Sequence, residues 1–320
     1  MSDSAPGVHV VSDQVYSCAG GVQRLADVYL PASSEGPFPV VIWLHGGGWR
    51  FGDRRMAPDL ALFAQGAGVA VVSIDYRLSD EAKFPAPVED VKTAVRWVRS
   101  VAEQFKFNRE RIGLWGSSAG AHLAAMVALS PHEMFATDEH AGFSNAVQAV
   151  VDGYGPMDFS RIDADRAAVQ KLDTDAESFV IRDLLPAGDP DSFESRLIGA
   201  PVGSSQQLVE AANPVRYVRA GNPPFLILHG EADTAMPWQQ SGLLFEALDS
   251  VGDDATLVLF EKLTHGFFNN RQLDEVDCGA VTVRRSRTDK SSRERWSCDA
   301  QQNIPGMVED FLRAHLAGRG

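Results

Sequence analysis

Short, continuous apolar runs alternate along this chain with longer stretches in which apolar residues recur every three or four positions. Residues 39–44 (PVVIWL), 69–74 (VAVVSI), 111–115, 146–151, 225–228 and 255–260 are runs of the first kind. All have the length of a strand, and 39–44 and 69–74 suit strands buried on both faces. Between them, 56–65, the segment after Gly120 to 129, 239–251 and 305–317 read as helices. So does the segment from Pro87, where Val88, Val91, Val95, Val98 and Ala102 form one apolar stripe. Residues 8–15 and 22–30, joined through Ala19-Gly20-Gly21, read as an antiparallel hairpin. The alternation predicts an α/β fold: an eight-stranded, mostly parallel sheet with an antiparallel N-terminal edge and helices on both faces. One domain over 1–320 is the simplest organisation. Residues 154–222 carry helical patches and no strand, and are expected to be an insertion that caps one end of the sheet. Residues 269–300 form a second, polar insertion.

Composition narrows the class. Of 320 residues, 44% are hydrophobic and 22% charged, the balance of a folded globular protein. A formal net charge of −14 disfavours nucleic acid and anionic membrane surfaces as partners. No apolar stretch approaches the roughly 18 residues of a spanning helix. The N-terminus lacks a basic region followed by an apolar run, so a cytoplasmic location is the expectation. Cys18, Cys278 and Cys298 form no close pair of a zinc or redox type. In a reducing compartment all three are expected as unpaired thiols, although Cys278 and Cys298 flank one segment and could bridge.

That segment is unusual. Between 279 and 297 six bases (Arg284, Arg285, Arg287, Lys290, Arg293, Arg295) face two acids (Asp289, Glu294), a net of +4 on an acidic protein. It reads either as a solvated surface loop or as part of the substrate entrance, in which case its deletion would alter substrate preference more than stability.

The chemistry is concentrated in glycine-flanked turns. Gly116-Ser117-Ser118-Ala119-Gly120 follows a predicted strand and opens a helix, the context of a nucleophile elbow with Ser118 at its tip. His45-Gly46-Gly47-Gly48 follows an earlier strand, where glycines let main-chain N–H groups approach a substrate oxygen. Gly47, Gly48 and Ala119 are the expected oxyanion donors, and Trp49 beside them is a candidate substrate contact. A serine hydroxyl needs a base. Among eight histidines, His265 lies after the last predicted strand, while His45 is expected to brace its loop, His122 to pack or cap, and His229 to serve structure. The acid that orients the base belongs after the preceding strand, where Asp233 fits and Glu231 is the competitor.

These residues, in this order, resemble the α/β-hydrolase family, and within it the esterase and lipase branch with an HGGG loop. His45-Gly46-Gly47-Gly48-Trp49 and Asp75-Tyr76-Arg77-Leu78 are similar to acetyl-xylan and feruloyl esterases and to hormone-sensitive-lipase-like carboxylesterases. The resemblance implies a serine carboxylesterase acting on a small-molecule ester through an acyl-enzyme, with no metal or organic cofactor. It also implies that Asp75 and Arg77 brace the oxyanion loop. The same triad serves amidases, formamidases and peptidases, and a non-catalytic receptor can share the fold. Acyl length, alcohol identity and oligomeric state are not legible in the chain.

Overall fold

The computed structural model describes residues 7–32, 35–169, 184–286, 303–316 and the backbone of 294–297. In chain order its strands are β1 (Val8–Ser17), β2 (Arg24–Pro31), β3 (Phe38–Leu44), β4 (Ala70–Ile74), β5 (Phe107–Ser117), β6 (Ala149–Gly153), β7 (Phe225–Gly230), β8 (Ala255–Phe260), β9 (Ala280–Arg285) and β10 (Glu294–Ser297). The helices are α1 (Leu60–Ala67), α2 (Ala86–Ser100), α3 (Ala102–Phe105), α4 (Ala119–Leu129), α5 (Ile162–Ala168), α6 (Phe193–Ile198), α7 (Gln206–Ala211), α8 (Gln239–Ser250) and α9 (Ile304–Leu316).

All ten strands join one sheet in the order β1-β2-β4-β3-β5-β6-β7-β8-β9-β10. The run from β4 to β8 is parallel, and antiparallel pairs close both edges. Alternation along each central strand feeds two cores. Val40, Ile42 and Leu44 of β3 face α2, α4 and α8, while Val41 and Trp43 face α1 and α9. The parallel strands are buried on both faces because helices cover both, which is why they read as unbroken apolar runs.

Two elements depart from the sequence reading. The first helix begins at Leu60, not 56, because the Asp59 side chain accepts the Leu62 N–H at 3.1 Å and caps it there. Among the described residues the sheet has ten strands rather than eight, because the polar segment after His265 contributes β9 and β10. In β9, Val281 and Val283 point into the core opposite Phe260 and Val258 of β8. Their period-two alternation is the strand signal, overshadowed in sequence by the charges that follow. The segment is therefore not a solvated loop over its described part. Of its described residues Asn269 lines the cavity above Ser118. Removing the segment would strip a strand from β8, so a deletion is expected to cost stability as well as to alter the cavity wall. Arg287, Asp289, Lys290 and Arg293 lie outside the described residues.

Cys278, just before β9, is buried and disulfide-bonded, and Cys18 is a free, exposed thiol. This corrects the expectation of three unpaired thiols. Cys298 lies outside the described residues. No described helix is long and apolar enough to cross a membrane.

Candidate active site

The end of β5 passes into α4 through Ser118, which takes φ 53° and ψ −116° at the helix N-cap position. A side chain on Gly116 would collide with the Gly120 carbonyl, and one on Gly120 with the Leu44 carbonyl. Only glycines allow β5, the turn and the neighbouring β3 to close this tightly. A non-glycine residue in such a conformation is strained by about 1–3 kcal/mol. The Ser118 N–H is held by the Gly153 carbonyl of β6 at 2.7 Å. The result is a hydroxyl lifted to the carboxyl edge of the sheet, at the N-terminus of an eleven-residue helix that favours developing negative charge.

The loops after β7 and β8 bring Asp233 and His265 to the same edge. His265 Nε2 lies 2.9 Å from Ser118 Oγ, and its Nδ1 lies 2.7 Å from Asp233 Oδ2. Asp233 Oδ1 accepts the N–H groups of Ala235 at 2.9 Å and Met236 at 2.8 Å, which turns Oδ2 toward the imidazole. With the Nδ1 proton directed at a carboxylate, Nε2 is left as the acceptor for the serine hydroxyl. Asp233 is fully buried. Burial alone would raise its pKa, but His265 and His229 overturn that and hold the carboxyl below its usual range.

His229, assigned only a structural role from sequence, touches this network directly. Its Nε2 lies 3.4 Å from Asp233 Oδ2 and 2.7 Å from the Met236 carbonyl, and Nδ1 meets Ser241 Oγ at 2.7 Å.

The glycine loop after β3 lies against the elbow. Gly47 and Gly48 have φ of +105° and +60°, and the Gly47 carbonyl accepts the N–H groups of Arg50 at 3.0 Å and Phe51 at 2.9 Å. Ala119 is the first residue of α4, next to Ser118. His45 braces the loop: Nδ1 contacts the Gly46 carbonyl at 2.7 Å, and its ring stacks on Tyr76, whose hydroxyl donates to the His45 carbonyl at 2.8 Å. Burial lowers the His45 pKa. His122 is buried, bonded to the Ala212 carbonyl at 2.7 Å, and pushed down to about 4 by burial. Trp49 lines the cavity, yet its ring packs on His122 and Phe159 and it is only 2% exposed. It is more wall than contact. Asp75 receives Arg54, both side chain at 2.9 Å and main chain at 2.8 Å, just beyond the glycine loop. Arg77 instead pairs with Asp90 and Glu89 on α2.

Sequence reasoning missed Tyr154. It follows β6 with φ 48°, is fully buried, and its hydroxyl meets Ser117 Oγ at 3.0 Å and the Phe268 N–H at 3.0 Å. Its ring stands edge-on to His265 at 5.0 Å. One side chain thus ties the end of β5, beside Ser118, to the loop after His265. A tyrosine after a glycine carries no periodic signal, and the positive φ is visible only in the fold.

Above Ser118 lies a cavity of about 310 Å³, walled by the glycine loop, Phe51, Met56, Phe193 and Met236. Phe193 packs on Gly48, where a Cβ would strike its ring. An apolar cleft over a serine whose hydroxyl meets an imidazole at 2.9 Å suits acyl transfer.

The sequence and fold resemble those of known proteins. The sequence model of the family described as BD-FAE matches residues 26–248. Among curated proteins, the chain is similar to the esterase LipQ of Mycobacterium tuberculosis, with 33% identity over 73% of this chain and 51% of that protein. It also resembles the Arabidopsis thaliana isoprenylcysteine alpha-carbonyl methylesterase ICME, with 28% identity over 75% of this chain and 53% of that protein. The chain spans about half the length of the curated relatives it matches. Among solved structures, the propionate-bound thermophilic esterase Est2 of the Planctomycetes species Thermogutta terrifontis aligns with a TM-score of 0.69 and 26% identity, covering 98% of this chain and 97% of that one. The family match covers the sheet from β2 through α8, including the elbow and the acid loop, and the chain belongs to the BD-FAE family of the α/β-hydrolase superfamily.

Proposed function

We propose that this protein is a serine hydrolase of small carboxylic esters, with Ser118 as nucleophile, His265 as general base and Asp233 as the acid that orients it. The observation that carries this reading is the unbroken relay from Ser118 Oγ through His265 (2.9 Å) to Asp233 (2.7 Å) beneath an apolar cavity. Ser118 attacks the ester carbonyl as His265 takes its proton. The oxyanion rests on the N–H groups of Gly47, Gly48 and Ala119, each worth about 3–4 kcal/mol in the transition state. The same imidazole protonates the departing alkoxide, and water then releases the acid from the acyl-enzyme. Segment 154–222 acts as the cap of a single 1–320 domain. It supplies Arg166, Leu184, Phe193 and Glu194 to the cavity wall. The disulfide at Cys278 weighs against the expected cytoplasmic, reducing compartment.

Est2 of T. terrifontis is phosphorylated by paraoxon. Treating this protein with paraoxon and mapping the adduct tests the reading: one adduct per chain on the Ser118 peptide is expected. Failure to react, or reaction elsewhere, would contradict it.

A further inference from the structure

Two charged side chains that the hydrolytic relay does not use line the cavity, Arg166 of α5 and Glu194 of α6. Glu194 is 2% exposed and the Arg166 side chain 15%. Charge this enclosed needs close partners. Arg166 directs much of its guanidinium at the protein: Nε donates to the Ala235 carbonyl at 2.9 Å, and Nη1 reaches the Leu185 carbonyl at 3.2 Å and Asp163 Oδ1 at 3.4 Å. Its Nη2 faces Glu194 Oε1 at 3.7 Å, too far for a hydrogen bond. The two groups attract, but among the described residues they leave a donor and an acceptor side by side on the cavity wall. Burial raises the Glu194 carboxyl above its usual range, with Arg166 and the residue's own main-chain N–H offsetting only part. Phe193 seats this helix on Gly48, so Glu194 stands close to the glycine loop.

We infer that Arg166 and Glu194 form a polar subsite that takes a hydroxyl group of the ester substrate, the hydroxyl donating to Glu194 and accepting from Arg166 Nη2. The inference rests on the reading of Ser118 as the hydrolytic nucleophile. A hydroxyl carries donor and acceptor on one atom and satisfies both partners. A carboxylate would meet Glu194 as a like charge, and an ammonium would meet Arg166. An alkyl group would seal both charges from water without supplying a bond. A site built to hydrogen-bond a substrate hydroxyl discriminates against the analogue lacking it far more strongly than an apolar pocket discriminates by size.

Two matched comparisons on the full chain test this. Ethyl butyrate against 2-hydroxyethyl butyrate places the hydroxyl on the alcohol side, and ethyl butyrate against ethyl 3-hydroxybutyrate places it on the acyl side. The protein is expected to favour the hydroxylated member of one pair by about tenfold or more in kcat/KM. The double variant Arg166→Met/Glu194→Leu, which removes both charges and strands neither, is expected to bring that ratio near one. Glu194→Gln, which keeps shape and an acceptor but loses the charge, should lower it several-fold. Paraoxon titration counts intact active sites in every sample. If the double variant has none, Glu194→Gln carries the test. No preference in either pair, or a preference that survives the substitutions, overturns the subsite. A protein inert to all three esters and to paraoxon overturns instead the assignment of Ser118.

Discussion

The buried carboxylate of Asp233 meets His265 Nδ1 at 2.7 Å, with its other oxygen fixed by the Ala235 and Met236 N–H groups. This geometry sets the imidazole tautomer before any substrate arrives. Asp233→Asn keeps the shape but can present an amide N–H to Nδ1, favouring the tautomer in which Nε2 cannot accept the serine proton. The expected result is a fall in kcat of about 10³–10⁴-fold with little change in melting temperature. Steady-state kinetics on one short-chain ester, beside a thermal melt, check it; a loss below tenfold would remove Asp233 from the relay.

Tyr154 links the two catalytic loops through one hydroxyl. In Tyr154→Phe the ring stays against His265 while the Phe268 N–H and Ser117 Oγ lose their shared partner. Stability should fall by about 1–2 kcal/mol, and kcat should fall by about tenfold or more while KM holds, because a small shift of the base costs more in the transition state than in binding. A variant that loses stability with unchanged kcat would confine Tyr154 to packing.

Asp152, the residue before the last in β6, lies opposite Gly116, beneath the elbow. It is fully buried, and burial pushes its carboxyl up to about 7, partly offset by the Gly155 N–H at 3.2 Å. The folded protein therefore holds this proton more tightly than the unfolded chain. The stabilisation is complete below about pH 4 and is lost as pH rises to about 7, a change of up to about 4 kcal/mol. Asp152→Asn cannot ionise, so the difference in melting temperature between pH 5 and pH 8 should shrink. Equal differences in both proteins would contradict this.

Val281 in β9 is fully buried opposite Phe260. Val281→Ala should cost about 2 kcal/mol and leave the ranking of ester substrates unchanged. A shifted substrate profile at wild-type stability would show that β9 acts on substrate choice and not on packing.

The site was legible where chemistry forces residue type. Gly116 and Gly120 admit no side chain, so the elbow is written into the sequence, and the apolar strands carry the order of serine, acid and histidine with them. Asp233 over Glu231 was a matter of loop reach, and it is Asp233 Oδ2 that lies 2.7 Å from His265 Nδ1. Tyr154 was illegible because its partners, 37 and 114 residues away, meet only when the sheet forms. Strand β9 was hidden because two buried valines are a faint pattern beside Arg284 and Arg285. Arg166 and Glu194 sit in a charge-rich stretch, and nothing in the sequence separates them from surface residues until Phe193 docks on Gly48.

The central claim, that Ser118 is the ester nucleophile, is tested most directly by hydrolysis of p-nitrophenyl esters from acetate through decanoate with wild type and Ser118→Ala side by side. The account predicts turnover of short chains by the wild type and loss of nearly all of it in the variant. An inert wild type, or a variant that matches it, would contradict the assignment.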